Sequence, residues 1–259
     1  MDSALANSIE WSGLWTWFLL FVRFTGLFQT LPGLGTEEIP IPFRTTIALV
    51  LAAVVAMTGA HALMPANLAE GGLMIGTEYV LGWILGVVPA FVLSSLAVSG
   101  QVTSAAIGLG QASLIDPSIG EHVSVLARIQ SMIGTIIFLS IDGHHTILRA
   151  ASFIAEDVGV GRFRPDAATA LQLAERFSES FELAVVIAAP ILITILVTQF
   201  LLGLLTKFVP QVNVFIISLP LTIGIGLFIC AYTMPSLGSH AVTEFTRSEE
   251  IAARLISNR

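Results

Sequence analysis

Six stretches of this chain are apolar nearly all the way round, and each has the length that a bilayer asks of a helix, roughly 17–25 residues. They run over Trp11–Leu31, Phe43–Met64, Leu73–Val98, Val123–Ile141, Leu183–Leu205 and Val214–Met234. Strands would alternate apolar and polar residues with period two, and these runs do not. A helix satisfies its own backbone where no water reaches, so the pattern predicts an all-α fold of membrane type. Composition agrees: 55% of the 259 residues are hydrophobic and only 11% charged, against about 25% charged in soluble domains. Mean hydropathy is +0.88. Most of the surface must therefore face lipid or other apolar protein.

Charge excludes one class of partner. The formal net charge is −7, and the single lysine is Lys207. A nucleic-acid footprint needs clustered Lys and Arg, so no nucleic acid is expected. One cysteine, Cys230, makes neither an internal disulfide nor a Cys-rich metal site, and it reads as a small buried hydrophobe. Asp2 and Glu10 precede the first apolar run, where a signal peptide would carry positive charge. The first segment is expected to be retained.

Composition shifts between the fourth and fifth stretches. Gly159–Glu182 holds seven charged residues, while Leu171, Ala174, Phe177 and Phe181 recur at three- and four-residue spacing. That is a wet amphipathic helix, with Pro165-Asp166 as its N-terminal signal. It separates a four-segment front half from a two-segment back half. The tail, Ser239–Arg259, is also amphipathic. Connector and tail together hold six of the eleven basic residues, so both can lie on one side of a membrane, as the positive-inside rule asks.

Arg23, Glu78 and Arg128 interrupt apolar sequence, and Lys207 ends the fifth stretch. An ionisable group in hydrocarbon costs between about 3 and 17 kcal/mol, so it meets a partner or water. A proton relay would want several acids along one helix face, and Glu78 stands alone in its stretch. Buried or inter-subunit ion pairs are the preferred reading for these four residues; an ion or solute transporter is the rival.

Catalytic signals are few. No nucleophile elbow and no phosphate-binding loop occurs, and Gly108-Leu109-Gly110 lacks the third glycine of a dinucleotide fingerprint. No cofactor and no catalytic residue is assigned, and the chain is not read as an enzyme. Asp142-Gly143-His144-His145 is the most metal-like string. Adjacent histidines point apart on a helix or strand, so one ion would need ligands from elsewhere; the string reads as a polar turn capping the fourth helix, and no metal is assigned.

Gly100–Glu121 joins two apolar segments and is itself apolar and small, with three glycines before Asp116-Pro117 and a fourth after it. An exposed loop would be more polar. Irregular backbone at membrane depth belongs inside protein or beside a water-filled cavity, so this segment is expected at a pore or an interface.

Several motifs together carry a family resemblance. They are Leu31-Pro32 leading to Ile39-Pro40 and Arg44, then Leu114-Ile115-Asp116-Pro117, then Val125-Leu126-Ala127-Arg128-Ile129, then Asp142-Gly143-His144. In the back half, Val209-Pro210-Gln211-Val212-Asn213-Val214-Phe215 precedes Leu219-Pro220-Leu221-Thr222 and Gly224. In order and spacing, from about Trp11 to Leu237, the chain resembles the FliR family of bacterial flagellar biosynthesis proteins. The resemblance implies a subunit of the flagellar type III export gate at the inner membrane of the basal body. Its partners would be FliP and FliQ, with FlhA and FlhB nearby and unfolded flagellar proteins as cargo.

The implied architecture is a set of bent helical hairpins in a helical assembly. A FliP-like half spans about 1–158, a connector 159–182, a FliQ-like hairpin 183–238 and the tail 239–259. The loop of Ile107, Gly108, Leu109, Gly110, Gln111, Ala112, Ser113, Leu114, Ile115, Asp116 and Pro117 would correspond to the family's channel plug. In it Gly108 and Gly110 supply backbone freedom and Leu109, Leu114 and Ile115 the seal. Many relatives carry a bulky aromatic where this chain has Ser113-Leu114, and His145 replaces an apolar residue. The homologous subunit of a virulence-type injectisome shares the mechanism and differs in cargo.

Overall fold

The computed structural model describes residues 2–35, 39–109, 124–157, 159–208 and 214–257, with side chains described across them save at 2–10, 153–157, 214–216 and 253–257. Seven helices account for most of these residues: α1 (Asp2–Thr30), α2 (Ile41–Met57), α3 (Leu68–Ile107), α4 (Val125–Ser140), α5 (Gly143–Asp157), α6 (Ala167–Phe208) and α7 (Val214–Ser257). Among the described residues there is no strand, only a single bridge between Ala62 and Val160. The all-α expectation holds.

Local signals explain the helix ends. Pro42 lies in the first turn of α2, where its missing N–H costs nothing, and Gly59 at φ 97° closes the far end. Arg44 donates to the carbonyls of Ile39 (2.9 Å) and Gly35 (3.3 Å), tying the entry of α2 to the turn before it. Asn67 caps α3 by accepting from the Glu70 N–H at 2.8 Å, and Glu70 accepts in return from Ala66 N–H at 2.7 Å. Asp166 caps α6, its Oδ1 accepting from Thr169 N–H at 2.8 Å, as the Pro165-Asp166 signal requires.

Three expectations need correction. Helix α3 continues through Gly100 to Ile107, so the first third of the segment expected to be irregular is helical. Ser95 Oγ donates to the Val92 carbonyl within the helix, while Thr103 Oγ1 is buried without a partner. The connector from Ala167 onward and the fifth stretch form one helix, α6, and the sixth stretch and the tail form another, α7; each continues through internal proline, Pro190 in α6 and Pro220 and Pro235 in α7. Helix α5 lies where no element was expected; its polar residues hid it.

The tally of spans changes accordingly. Among the described residues three helices, α3, α6 and α7, are long and apolar enough to cross a membrane. A fourth span is possible if α4 and α5, bent by 61° at the turn between them, act as one, while α2 is short at 17 residues.

The chain divides into two compact units. The first comprises residues Met1–Phe91, Phe138–Arg176 and Glu244–Arg259. Here α1 and α3 run parallel at close range. Any Cβ at Gly26 would strike the Tyr79 carbonyl, and Cβ atoms at Gly82 and Gly86 would strike the backbone of Arg23 and Leu27. Gly82 and Gly86 stand four apart, the small-xxx-small spacing that lets helix backbones touch. Phe138 and Phe245 meet at 5.2 Å between ring centroids elsewhere in this unit.

The second unit comprises Val92–Ile137 and Phe177–Thr243. Its core is Ile107, Leu126, Ile191, Ile195 and Cys230, all buried. Here the end of α3 and the start of α4 pack antiparallel, Leu96 against Gly134, Ser99 against Gln130 and Gly100 against Ala127.

Candidate functional site

Two arrangements bear on function, one in each unit. In the second unit it is the base of the expected plug loop, of which Ile107, Gly108 and Leu109 are described; Gly110, Gln111, Ala112, Ser113, Leu114, Ile115, Asp116 and Pro117 lie outside the described residues.

Gly108 stops α3. It sits at φ 91°, where an L side chain would be strained. Its N–H donates to the Ala105 carbonyl at 3.2 Å, and the Leu109 N–H donates to the Ser104 carbonyl at 3.1 Å. This pair of bonds is a Schellman motif, which consumes helix-end carbonyls that would otherwise lack donors. Gly108 thus has a definite conformational task at the helix terminus, while Leu109 is left partly exposed.

Ile107, the last residue of α3, is wholly buried. Its side chain fills the space over Gly226 of α7 so closely that a Cβ there would collide with Ile107 Cγ1. Its carbonyl lies 3.4 Å from Thr222 Oγ1, whose hydroxyl also reaches the Ser218 carbonyl of its own helix at 2.9 Å. Thr222 belongs to the Leu219-Pro220-Leu221-Thr222 motif, so two motifs far apart in sequence meet at one helix end. A small cavity of about 170 Å³ opens beside them, with Gln199, Ser218 and Thr222 among its lining residues. Gly226 was not singled out from the sequence. Gly224 was, yet it has open space around it; only the partner helix reveals which glycine is crowded.

The start of α4 is fixed to the same helix. A Cβ at Gly100 would lie 2.5 Å from Ala127 Cα, and Ser99 Oγ donates to Gln130 Oε1 at 2.5 Å with both side chains buried. The two helices that flank the loop are locked together a few residues before it and after it.

In the first unit Arg23 and Glu78 meet. Arg23 Nε donates to Glu78 Oε2 at 2.6 Å, and both side chains have zero exposure. Arg23 Nη1 donates to the Ala151 carbonyl at 3.0 Å. Glu78 Oε1 accepts from the Gly161 N–H at 2.7 Å. One ion pair therefore joins α1, α3, α5 and the segment after α5, leaving only Arg23 Nη2 without a partner. The glycines at 82 and 86 bring the helices near enough for it. Two charges compensated at such distances, with further hydrogen bonds on each, form a static clamp.

The other two charges singled out from the sequence belong to the second unit. Arg128 is exposed on α4 while its neighbours Leu126 and Ala127 turn inward, and Lys207 is exposed in the last turn of α6. A cation there is favoured by the helix dipole.

The family model for bacterial export proteins, family 1, matches residues 14–248. The chain is similar to the flagellar biosynthetic protein FliR of Escherichia coli (strain K12), 26% identical over 254 residues that cover 96% of this chain and 95% of that protein. It is similar to the FliR of Aquifex aeolicus (strain VF5), 28% identical over 221 residues and 85% of each chain. The Yop proteins translocation protein T of Yersinia pestis is 27% identical over 234 residues, 88% of this chain and 89% of that one.

Proposed function

This chain belongs to the bacterial export proteins, family 1, and on that footing we propose that it is a non-enzymatic subunit of the flagellar type III export gate. It assembles with FliP and FliQ, beside FlhA and FlhB, in the inner membrane at the basal body. There it lines and plugs the channel through which unfolded flagellar proteins cross the inner membrane. Arg128 and Lys207 both lie on the surface and are proposed to take part in ion pairs between subunits.

The observation that carries this reading is the way the loop base is held. A plug must yield at its tip while its ends stay in register. Here Ile107 is anchored by Gly226 and Thr222, Gly108 ends the helix sharply, and Gly100 and Ala127 fix the two flanking helices to each other. The exposed apolar surface supports an assembled state. Only 28% of the most apolar window of α6 and 17% of that of α7 is buried within the chain. Val185, Ile193, Leu196 and Phe200 on α6, and Phe228 and Tyr232 on α7, are exposed. Such surfaces are covered by lipid or by other subunits.

The similarity to the Yersinia translocation protein favours a second reading, the equivalent subunit of a secretion system with other cargo. A transporter working alone is the rival of a different class. Co-expression with FliP and FliQ, followed by pull-down and size-exclusion in detergent, separates these. A stable complex holding this chain at substoichiometric level is expected. A monodisperse protein that ignores both partners would overturn the gate assignment in favour of the transporter.

A further inference from the structure

The turn between α4 and α5 gathers ligand-type atoms that the features described above do not use. Asp142 is the one non-glycine residue at positive φ, 60°, among the described residues. This conformation folds its carboxylate back over the first turn of α5, where Oδ1 lies 3.1 Å from His145 Nδ1. The His144 and His145 rings stand 4.1 Å apart between centroids. One ligand atom from each of Asp142, His144 and His145 falls within 4.8 Å of the other two. Adjacent histidines diverge on a regular helix, but here the bend lets the preceding aspartate close the set.

Two orphaned atoms border the same turn. His144 Nδ1 is buried with no hydrogen-bond partner, and so is Oε1 of Glu249 from the C-terminal part of α7. Glu249 Oε1 would lie 3.0 Å from a Cβ at Gly143, so its carboxylate reaches this turn because position 143 is glycine. A buried polar atom left without a partner costs about 1–3 kcal/mol, and His144 Nδ1 is such an atom within the cluster itself.

We propose that Asp142, His144 and His145 bind one divalent transition-metal ion of the zinc class, with the fourth position left to water. Two imidazoles with a carboxylate form a donor set for zinc and its neighbours, whereas magnesium and calcium prefer oxygen alone. Ligands about 2.0–2.2 Å from a tetrahedral centre lie roughly 3.5 Å apart, so the atoms must draw in by about 1 Å. The Asp142 and His145 side chains, 73% and 61% exposed, are free to make that movement. The ion ties the turn at Asp142 to the first turn of α5.

The test uses the full chain, purified in detergent through a tag without histidine and stripped with chelator. Cobalt(II) is titrated in as a spectroscopic probe, and bound zinc is counted after dialysis. One ion per chain is expected, with a tetrahedral cobalt absorption that zinc bleaches. Asp142→Asn keeps a residue that tolerates positive φ, and His145→Ala alters an exposed side chain, so both variants keep the fold. Each is expected to weaken binding at least about tenfold. Absence of stoichiometric binding in the unaltered chain would overturn the site, as would binding indifferent to both substitutions.

Discussion

Replacing Glu78 with Gln keeps the shape of the clamp and removes one charge from it. The guanidinium of Arg23 then remains at zero exposure, with the Ala151 carbonyl and a neutral amide as its acceptors. Removing one member of a buried pair costs about 3–5 kcal/mol, mostly because the surviving charge stays desolvated. Arg23→Met strands the carboxylate instead, with only the Gly161 N–H beside it, and belongs in the same range. The double variant carries no charge at all. What it loses is the donor to the Ala151 carbonyl, about 1–3 kcal/mol for one unsatisfied buried group. The double variant should therefore be more stable than either single one, with a coupling energy of at least about 3 kcal/mol. Unfolding in mixed micelles by added SDS, followed by circular dichroism, measures all four corners of the cycle. Two single substitutions that each cost under about 1 kcal/mol and simply add would show that the pair is solvated, and the clamp would be refuted.

Gly108→Ala should fray the end of α3. A side chain at φ 91° costs about 1 kcal/mol or more, so amide exchange of Leu109 should quicken while that of residues near 90 stays slow. Gly226→Val should destabilise by about 1–3 kcal/mol through overpacking against Ile107, an effect read as a lower unfolding midpoint. Gly224→Val, with open space around it, should be close to neutral in the same assay.

The helical class was readable because residues apolar on every side leave one way to satisfy a backbone without water. Caps were readable as well: Asp166 announces α6, and Arg44 after Ile39-Pro40 marks the entry of α2. Helix lengths were not. Gln101, Thr103 and Ser104 look like loop residues in a list, yet Thr103 and Ser104 are buried in a helix that nothing interrupts before Gly108. The charges of Gly159–Glu182 signal wetness, which differs from a break, and α6 passes from wet to apolar without one. Arg23 and Glu78 were each conspicuous, but their pairing depends on the parallel contact of α1 and α3 across 55 residues of sequence. Gly226 and the gathering of Asp142 with its two histidines depended on neighbours that sequence spacing does not supply.

The clamp also constrains how the chain is made. Synthesis runs from the N-terminus, so Arg23 emerges inside an apolar segment 55 residues ahead of its counter-charge and 128 ahead of the Ala151 carbonyl. Among the described residues α1 is not one of the helices long and apolar enough to cross a membrane, and Arg23 is fully buried only where Glu78 meets it. Until α3 is made, that arginine has no counter-charge to be buried against. A charge pair that rigidifies the finished molecule thereby closes only once its third helix is made.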